Sequence, residues 1–379
     1  MAALYIHIPF CARKCPYCDF VSRPFPEEIK RRYLNALLKE LDLYAVRDDI
    51  RALTFDTMYI GGGTPSTIQA DGLARVVKAA FEGLSWSLSS GVEVTVEANP
   101  GSVSAKWLET VRAAGVNRLS LGVQSLSEKG LLALGRSHTV LDAINAFKMA
   151  RAVDFQVISM DLIYGWPGDN PVLWQRTLEK AAVLGPEHIS CYELAVEDGT
   201  DFKAWVEQGR VVLPDEDTIL LLTDMTEGFL SEVGYKHYEI SNFARPGLEC
   251  RHNLTYWQNK TYLGLGCAAV SYLPPTRYKN EADVLCYMEA VFSGKIPIRS
   301  REVLDEDARF RESVVMGLRL VDGIHFKDLQ TEWRRDVLGY YGDEIDRLTE
   351  NGLIYHDSER LFLTRRGRRL ANLVLSRLV

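Results

Sequence analysis

Strands and helices alternate over the first 200 residues of this 379-residue chain, and this alternation constrains the fold more than any other feature. Strands are expected before residue 10 and at 57–65, 92–100, 117–125, 155–168 and 188–194. Helical periodicity is clearest over 70–83, 104–114, 140–152 and 171–184. Successive βα units build a parallel sheet with right-handed crossovers. Because six units are fewer than the eight of a closed barrel, the sequence predicts an α/β fold with an open, partial (β/α)6 barrel.

Beyond residue 200 the pattern predicts two further regions. A long helix is expected at 215–233, and the last region ends with two helix-like stretches, two short apolar runs and a final helix over 365–379. Helix, helix, hairpin and helix in this order resemble a winged helix, an α+β unit. The predicted domains are therefore a barrel at 1–200, a barrel extension at 201–300 and a winged-helix-like region at 301–379.

The charge distribution argues against nucleic acid as a partner. Winged helices often bind nucleic acid, and four arginines fall together at Arg365, Arg366, Arg368 and Arg369. However, acidic and basic residues nearly cancel over 301–379, and the whole chain has a formal net charge of −7. Phosphate contacts usually leave a basic footprint. We therefore expect no nucleic-acid partner and favour a packing role for this region.

Cysteine usage and hydropathy indicate a cytoplasmic protein. The chain has seven cysteines, an odd and low count that does not fit a secreted disulfide framework. No apolar run approaches the ~20 residues of a membrane span, and no signal peptide is visible. A reducing cytoplasm is the expected location, where clustered cysteines indicate metal or redox work.

Three cysteines form such a cluster close to the first predicted strand. Cys11, Cys15 and Cys18 have the spacing CxxxCxxC and basic neighbours. Three unrelated buried thiols are the least favoured interpretation, given this tight spacing. Structural zinc needs four ligands, usually in CxxC pairs, and no fourth one follows closely. The third interpretation is a [4Fe–4S] cluster held by three thiolates, which leaves one iron with an open position.

CxxxCxxC with an aromatic residue before the last cysteine, here Tyr17, resembles the signature of the radical S-adenosylmethionine (SAM) superfamily. The resemblance implies that SAM chelates the free iron and that an electron from the cluster cleaves it to a 5′-deoxyadenosyl radical. It also implies a position for the segment that carries these three cysteines. A loop that follows the first strand of a barrel lies at the barrel mouth, where such folds build their sites.

Other polar residues follow the predicted strands. Gly62, Gly63 and Thr64 end the second strand, where missing side chains allow the backbone to approach a ligand. Glu97, at the end of the third strand, is placed to accept hydrogen bonds from ribose hydroxyls. Asp161 lies in an apolar run, so its carboxylate is expected to have a partner, either backbone donors or a ligand.

Further motifs narrow the resemblance. Seven motifs occur in a fixed order over about 260 residues. They are YIHIPFCxxxCxYC, GGGTPS, EANP, GVQS, DLIYGxPG, YEISNFARPG and HNxxYW. Together they resemble the oxygen-independent coproporphyrinogen III dehydrogenases and their relatives, the HemW-type heme chaperones. The resemblance implies that Tyr5, Tyr17, Gly62, Gly63, Thr64 and Glu97 line the SAM site. It further implies Gln124, Arg136 and Asp161 for a second SAM, as in the dehydrogenase.

HNxxYW places His252, Asn253, Tyr256 and Trp257 within six residues. From the residues alone, a local turn with packed aromatics is favoured. The resemblance implies instead a heme site, since a histidine can ligate iron. One departure follows at 264–272, where Val270 and Ala268 replace the histidine and glycine typical of relatives.

Two departures favour the chaperone over the dehydrogenase. Phe20 stands where the dehydrogenase carries a further cysteine, and only ten residues precede Cys11 where the dehydrogenase has a long extension. The expected function is therefore a heme chaperone with a [4Fe–4S] cluster, SAM and heme, and oxidoreductase activity on coproporphyrinogen III is disfavoured. Its expected partners are acceptor hemoproteins such as membrane respiratory enzymes, a flavodoxin or ferredoxin as electron donor, and a second copy in a homodimer. The alternatives are the dehydrogenase itself and a related radical SAM methyltransferase.

Overall fold

A computed structural model describes residues 1–87 and 91–379. Its first half consists of six parallel strands that lie side by side in chain order. The strands are β1 (Ala2–Ile8), β2 (Phe55–Gly62), β3 (Glu93–Ala98), β4 (Arg118–Gln124), β5 (Val157–Tyr164) and β6 (His188–Glu193). The helices between them are α1 (Glu27–Ala45), α2 (Asp48–Arg51), α3 (Ala70–Gly83), α4 (Ala105–Ala113), α5 (Glu128–Ala133), α6 (Val140–Ala152) and α7 (Pro171–Leu184). The predicted partial (β/α)6 barrel is confirmed.

Local sequence explains where these helices begin and end. The side chain of Asn170 accepts hydrogen bonds from the first backbone amides of α7, Pro171 occupies its first turn, and Gly185 ends it in a left-handed conformation. Thr139 and Asp142 form a reciprocal capping box at the start of α6. Both helices therefore have the bounds predicted from the sequence.

Alternation along the strands divides the sheet into two unlike faces. Alternate residues such as Ile60, Val96, Leu121 and Met160 are buried in the main hydrophobic core, beneath the helices. Residues of the opposite face line a cavity inside the barrel, and most of them are polar: Tyr59, Thr95, Glu97, Arg118, Ser120, Ser159, Asp161, His188, Ser190 and Tyr192. A closed (β/α)8 barrel fills its interior with branched apolar side chains, whereas this barrel encloses a polar chamber.

The second half of the chain extends the sheet at both ends. At one end, β8 (Asn242–Ala244) and β7 (Lys236–Glu239) add antiparallel strands beyond β6. At the other end, β9 (Tyr262–Leu265) pairs parallel with β1, and three antiparallel strands follow. These are β10 (Val270–Leu273), β11 (Thr276–Asn280) and β12 (Ile298–Val303). The helices of this part are α8 (Asp201–Glu207), α9 (Glu216–Glu232), α10 (Arg251–Trp257) and α11 (Val284–Phe292).

The C-terminal residues form their own hydrophobic cluster, which includes Phe310, Trp333, Leu361 and Val374. A small antiparallel sheet combines β13 (Ile324–His325), β15 (Arg360–Leu363) and β14 (Ile354–His356), in that spatial order. The helices are α12 (Glu306–Gly317), α13 (Phe326–Trp333), α14 (Val337–Tyr341), α15 (Asp343–Glu350), α16 (Arg365–Arg369) and α17 (Ala371–Leu375).

The single final helix predicted over 365–379 is wrong. Leu370 leaves helical geometry, with φ −107° and ψ 27°, and divides the segment into α16 and α17. Within α16, a β-carbon at Gly367 would collide with the Leu353 carbonyl oxygen, so this helix packs too closely on Leu353 for a side chain there. Strand β13 and helix α13 were not predicted from the sequence.

Among the described residues, no helix is both long and apolar enough to cross a bilayer.

Candidate functional site

A cavity of about 510 Å³ occupies the barrel and opens at the carboxyl ends of the strands. Twelve of the residues singled out in the sequence line it: Cys11, Cys15, Tyr17, Cys18, Gly62, Gly63, Thr64, Glu97, Gln124, Arg136, Asp161 and Asn253. The carboxyl ends of parallel strands are where α/β folds generally place their ligands. The structure thus brings the cysteine cluster, the glycine turn and the strand-end polar groups to one site.

Residues 11–23, here called the cluster loop, lie across the mouth of this cavity. At the base of the loop, Arg23 and Phe10 form a short β-bridge, and His7 Nε2 contacts the Val21 carbonyl at 3.0 Å. Near its tip, the Pro16 carbonyl accepts a hydrogen bond of 3.0 Å from the backbone amide of Phe202. The base of the loop is therefore fixed to β1 and the residue that follows it, and the tip is fixed to Phe202 of α8.

The three thiols of the cluster loop are free and half-buried. Burial and the neighbouring Cys11 and Cys15 raise the pKa of Cys18, while Lys14 lowers it. Thr64 Oγ1 lies 3.5 Å from Cys11 Sγ, and Arg136 Nη1 lies 3.2 Å from Cys15 Sγ. Within residues 1–87 and 91–379, no three His, Cys, Asp or Glu side chains converge as on a single metal ion. In a cubane cluster each thiolate binds a different iron, and three spaced thiols with a cation beside them fit that group.

Protein atoms explain why the turn after β2 consists of glycine. A β-carbon at Gly61 would lie 2.7 Å from the Glu97 carboxyl group, and one at Gly62 would lie 2.4 Å from the His7 ring. At Gly63 it would lie 2.7 Å from the Phe10 carbonyl oxygen. Gly62 also has φ +110°, which side chains disfavour. The turn therefore packs directly onto Glu97, the end of β1 and Phe10, and the next residue, Thr64, contacts Cys11.

Glu97 lies beside this turn with its carboxyl group directed into the cavity. The Tyr59 hydroxyl donates to its Oε1 at 2.9 Å, and the Gly62 amide donates to its Oε2 at 3.1 Å. Burial raises the pKa of Glu97 to about 7, against the opposing effect of the Tyr59 hydrogen bond. Its carboxylate can still accept further hydrogen bonds, as from ribose hydroxyls.

Gln124 and Arg136 lie at the end of β4, where both line the cavity, and Arg136 also contacts Cys15 of the cluster loop. Arg136 Nη2 donates to the Gly122 carbonyl at 3.0 Å, and its buried Nε has no hydrogen-bond partner. Gln124 has φ +64°, an unusual conformation for a residue with a side chain. A buried unsatisfied donor and a strained residue commonly mark a ligand site.

Asp161 lies deeper in the barrel, surrounded by hydroxyl groups. Ser120 Oγ donates to its Oδ2 at 2.9 Å and Ser190 Oγ to its Oδ1 at 2.8 Å, while Ser159 lies at 3.5 Å. Burial raises the pKa of Asp161, and these hydrogen bonds oppose the rise. The carboxyl group thus has partners, as expected, but they are serine side chains, whereas the sequence analysis expected backbone donors or a ligand.

The chamber also contains polar residues that the motif analysis missed. Arg118 is 3% exposed, and its Nη2 has no hydrogen-bond partner; the same is true of the hydroxyl of its cross-strand neighbour Thr95. His188 lies nearby, with Ser159 and Tyr238 on its two ring nitrogens. The sequence signal that could have identified these residues is the two-residue period of a strand, because each of them alternates with apolar residues.

The HNxxYW motif lies in α10, which packs next to the barrel interior near the amino ends of β2 and β3. His252 is 1% exposed, with Thr57 Oγ1 at 2.9 Å from Nδ1 and the Tyr256 hydroxyl at 2.9 Å from Nε2. Its ring stacks on Tyr59, with centroids 5.0 Å apart. Burial lowers the pKa of His252 to about 3, so the imidazole is neutral. Both ring nitrogens are engaged, and neither faces solvent.

The other residues of the motif point in different directions. Asn253 lines the cavity, Tyr256 packs edge-on against Tyr262, and the Arg319 guanidinium lies 4.6 Å from the centre of the Trp257 ring. Helix α10 thus connects the barrel to α12 of the C-terminal cluster. Tyr5 is likewise absent from the described lining of the cavity, and its hydroxyl lies 3.0 Å from His7 Nδ1.

Comparison with known families agrees with this geometry. Residues 5–181 match the Radical SAM superfamily, and residues 304–370 match the HemN C-terminal domain. The structure is similar to that of coproporphyrinogen III oxidase (HemN) from Escherichia coli, described as a radical SAM enzyme, with a TM-score of 0.84. That match covers 100% of this chain and 89% of the other at 23% identity, so it shows the fold alone.

Sequence relatives extend over the whole chain. Heme chaperone HemW of Lactococcus lactis subsp. lactis (strain IL1403) is 34% identical over 98% of this chain and 96% of that protein. Heme chaperone HemW of Mycobacterium tuberculosis (strain ATCC 25618 / H37Rv) is 36% identical over 99% of this chain and 94% of that protein. Similarity at this level over nearly full length shows that the chain belongs to the HemW family of heme chaperones, within the radical SAM superfamily.

Proposed function

We propose that this protein is a heme chaperone that binds a [4Fe–4S] cluster, SAM and heme and delivers heme to target hemoproteins. Its relatives named Heme chaperone HemW align with it over nearly their whole length. The observation that carries the proposal is the cluster loop, which holds three free thiols across the mouth of a polar cavity, beside a glycine turn and a buried carboxyl group.

Cys11, Cys15 and Cys18 would hold the cluster. When bound, a cluster on three thiolates supplies one iron with an open coordination position and accepts or donates single electrons. The chain's own part is to place the thiols. Thr64 contacts Cys11, and the guanidinium of Arg136 contacts Cys15, so both thiols are held in place by neighbouring side chains.

Tyr17, Gly62, Gly63, Thr64 and Glu97 would line the SAM site around that iron. The backbone of the glycine turn is accessible from the cavity, and the Glu97 carboxylate would accept hydrogen bonds from ribose hydroxyls. Tyr5 would act on the SAM site indirectly. It contacts His7, whose ring fills the space next to Gly62, so it supports the turn from behind.

A second SAM site at Gln124, Arg136 and Asp161 is part of the same proposal. Gln124 and Arg136 both line the cavity, Arg136 contacts Cys15 of the cluster loop, and the unsatisfied Nε of Arg136 supports binding of an anionic group there. Asp161 would contribute from the deeper wall, where three serines already orient its carboxyl group.

Heme ligation by α10 has a structural requirement. The family resemblance assigns His252, Asn253, Tyr256 and Trp257 to heme. For His252 to reach iron, it would have to give up its hydrogen bonds with Thr57 and Tyr256 and leave its contact with Tyr59. This assignment stays a prediction.

The partners follow from the same chemistry. Acceptors would be hemoproteins, including membrane respiratory enzymes, and a flavodoxin or ferredoxin would reduce the cluster. The seven cysteines are all free in the described structure, which supports a reducing cytoplasm as the location. A homodimer is proposed with them, and its test is the mass of the cluster-loaded protein in solution.

Heme transfer without porphyrinogen turnover tests the function. The anaerobic, cluster-loaded protein is loaded with heme and mixed with an apo-hemoprotein, and separately incubated with coproporphyrinogen III, SAM and a reductant. We expect heme transfer to the apoprotein and no protoporphyrinogen IX. Formation of protoporphyrinogen IX without heme transfer would contradict the chaperone assignment and establish the dehydrogenase.

A further inference from the structure

We infer that heme docks at the barrel mouth on the cluster loop, with Phe20 as its apolar contact and with Arg13 and Lys14 pairing with its carboxylates. The inference rests on the proposed function, because it takes heme as the cargo. It places the docking site at the carboxyl ends of the strands, whereas the buried ring of His252 lies near the amino ends of β2 and β3.

The cluster loop exposes apolar surface on a fixed backbone. Phe20 is 59% exposed and Val21 is 43% exposed, although both belong to a loop that is otherwise well anchored. The Val21 carbonyl is held by His7, and the bridge between Phe10 and Arg23 closes the base of the loop directly behind it. Apolar side chains exposed together on such a support are typical of an interaction site.

Charge on the loop complements a planar dicarboxylate. Residues 11–23 contain three cations and one acid, Asp19, in a chain whose net charge is −7. Arg23 is engaged, with Asp283 at 3.5 Å and the Phe25 ring at 4.7 Å. Arg13 and Lys14 are exposed and line the cavity next to Phe20. Heme combines a flat apolar ring with two propionates, so a surface of this composition matches both of its parts.

A second aromatic lines the same cavity from another wall. Tyr192, at the carboxyl end of β6, is 41% exposed, whereas the residues before it on this strand are buried. Phe20 lies on the loop after β1, and Tyr192 lies one residue before the end of β6. The lining of the cavity thus includes one aromatic side chain from the cluster loop and one from the sheet, and aromatic faces suit a flat ligand.

Direct binding measurements test the inference on the full-length, cluster-loaded protein. Zinc protoporphyrin IX serves as the probe because its fluorescence is distinct from the absorption of the cluster, and heme itself is titrated in parallel. The variants are Phe20→Ala, Phe20→Leu, the double variant Arg13→Ala/Lys14→Ala, and His252→Gln. The controls are Leu373→Ala, whose side chain is 52% exposed on α17, and Lys106→Ala/Lys148→Ala on two outer helices. All are compared at equal iron content.

We expect substitutions at the mouth of the cavity to weaken porphyrin binding and the control substitutions to leave it unchanged. Phe20→Ala should weaken porphyrin binding about tenfold and Phe20→Leu less, while the double cation variant should weaken it by a similar factor and remove its salt dependence. Zinc octaethylporphyrin, which lacks carboxylates, should bind equally to the wild type and the cation variant. The controls should retain wild-type affinity.

Two other outcomes separate the claims. If the wild type binds porphyrin, but the Phe20 and cation variants bind as well as it does, the docking site is wrong; loss of binding in His252→Gln alone would then establish α10 as the site. If the wild type binds neither porphyrin nor heme, the proposed function itself is wrong.

Discussion

Single side chains at the site are held by contacts whose removal has measurable consequences. Gly62 shows this most directly, since two separate constraints apply to it. Its φ of +110° disfavours any side chain, and a β-carbon there would lie 2.4 Å from the His7 ring. Gly168 has φ +85° but no atom within 4 Å of a β-carbon position. A comparison of substitutions at Gly62 and Gly168 therefore separates the cost of the backbone conformation, which both share, from the cost of the steric clash, which only Gly62 has.

Gly62→Ala is therefore expected to cost more than Gly168→Ala. Both substitutions force alanine into a left-handed conformation, at about 1–2 kcal/mol of unfolding free energy. Only Gly62→Ala also displaces His7 and the turn, so it alone should weaken SAM binding, by about tenfold or more. Calorimetric titration of SAM and thermal unfolding check this; equal effects of the two variants on SAM binding would contradict the packing described for the turn.

Glu40 gives a pH-dependent prediction away from the site. It is fully buried and accepts hydrogen bonds from the Gly266 amide, Asn280 Nδ2 and the Tyr287 hydroxyl at 2.6–2.7 Å. Burial raises the pKa of Glu40 to about 7 from a model-peptide value of 4.5. Between these pH values the folded state holds a proton that the unfolded state releases, so the free energy of unfolding falls as pH rises through this window.

Glu40→Gln should reduce that pH dependence. The variant is expected to lose up to about 3 kcal/mol of the difference in unfolding free energy between pH 4.5 and pH 7.5. Urea unfolding at both pH values measures it. Other buried carboxyl groups, Glu97 and Glu239, keep a slope of the same sign in the variant. An unchanged slope would mean that Glu40 does not bind a proton in this range.

At the scale of elements, α10 acts as a structural connection between the barrel and the C-terminal cluster. Its His252 bonds to β2 through Thr57, and its Trp257 carries the Arg319 guanidinium of the C-terminal part. His252→Ala is expected to lower the unfolding free energy by about 2–4 kcal/mol without any ligand, because it opens a cavity beside Tyr59 and leaves two buried hydroxyls unsatisfied.

Thermal unfolding of the heme-free protein measures this effect. Tyr256→Phe, which removes only the bond to Nε2, is the matched control, with an expected loss of about 1 kcal/mol. A His252→Ala variant as stable as the wild type would show that the histidine is kept for ligation and not for packing.

The strength of sequence prediction also differs between elements. The bounds of α3, α6 and α7 were predicted to the residue, because amphipathic periodicity and local signals such as Asn170 and Gly185 act within one helix. Strand β9 was missed as a neighbour of β1, since a pairing between residues about 260 positions apart leaves no local signal. The cavity-lining residues with motif spacing were found, whereas Arg118 and Thr95 required the register of β3 and β4.

At the scale of the whole molecule, ion pairs join the C-terminal cluster to the barrel. Glu227 of α9 contacts Arg365 at 2.9 Å and Arg368 at 3.5 Å, and Asp224 contacts Arg365 and Arg369. The arginine run that resembled a nucleic-acid patch is thus largely occupied by acidic partners within the chain. Glu227 is only 15% exposed, so these pairs are partly shielded from solvent.

Glu227→Gln should loosen this connection. We expect a loss of about 1 kcal/mol in the stability of the C-terminal cluster and a smaller difference from the wild type at 1 M salt, because salt screens the pairs in both proteins. Limited proteolysis and urea unfolding at low and high salt measure it. Glu82→Gln, which disturbs only an exposed pair with Lys78, serves as the control. An effect of Glu227→Gln that does not depend on salt would contradict an electrostatic origin.

The central claim is that three thiolates at the barrel mouth hold a [4Fe–4S] cluster with one iron open to SAM. Anaerobic reconstitution followed by iron and sulfide analysis tests it most directly, together with the EPR spectrum of the reduced protein with and without SAM. About four irons per chain are expected in the wild type and in Cys286→Ala, whose thiol is exposed elsewhere. Cys15→Ala should lose the cluster, and SAM should change the wild-type spectrum. A single zinc ion, or a cluster that Cys15→Ala retains, would contradict the account.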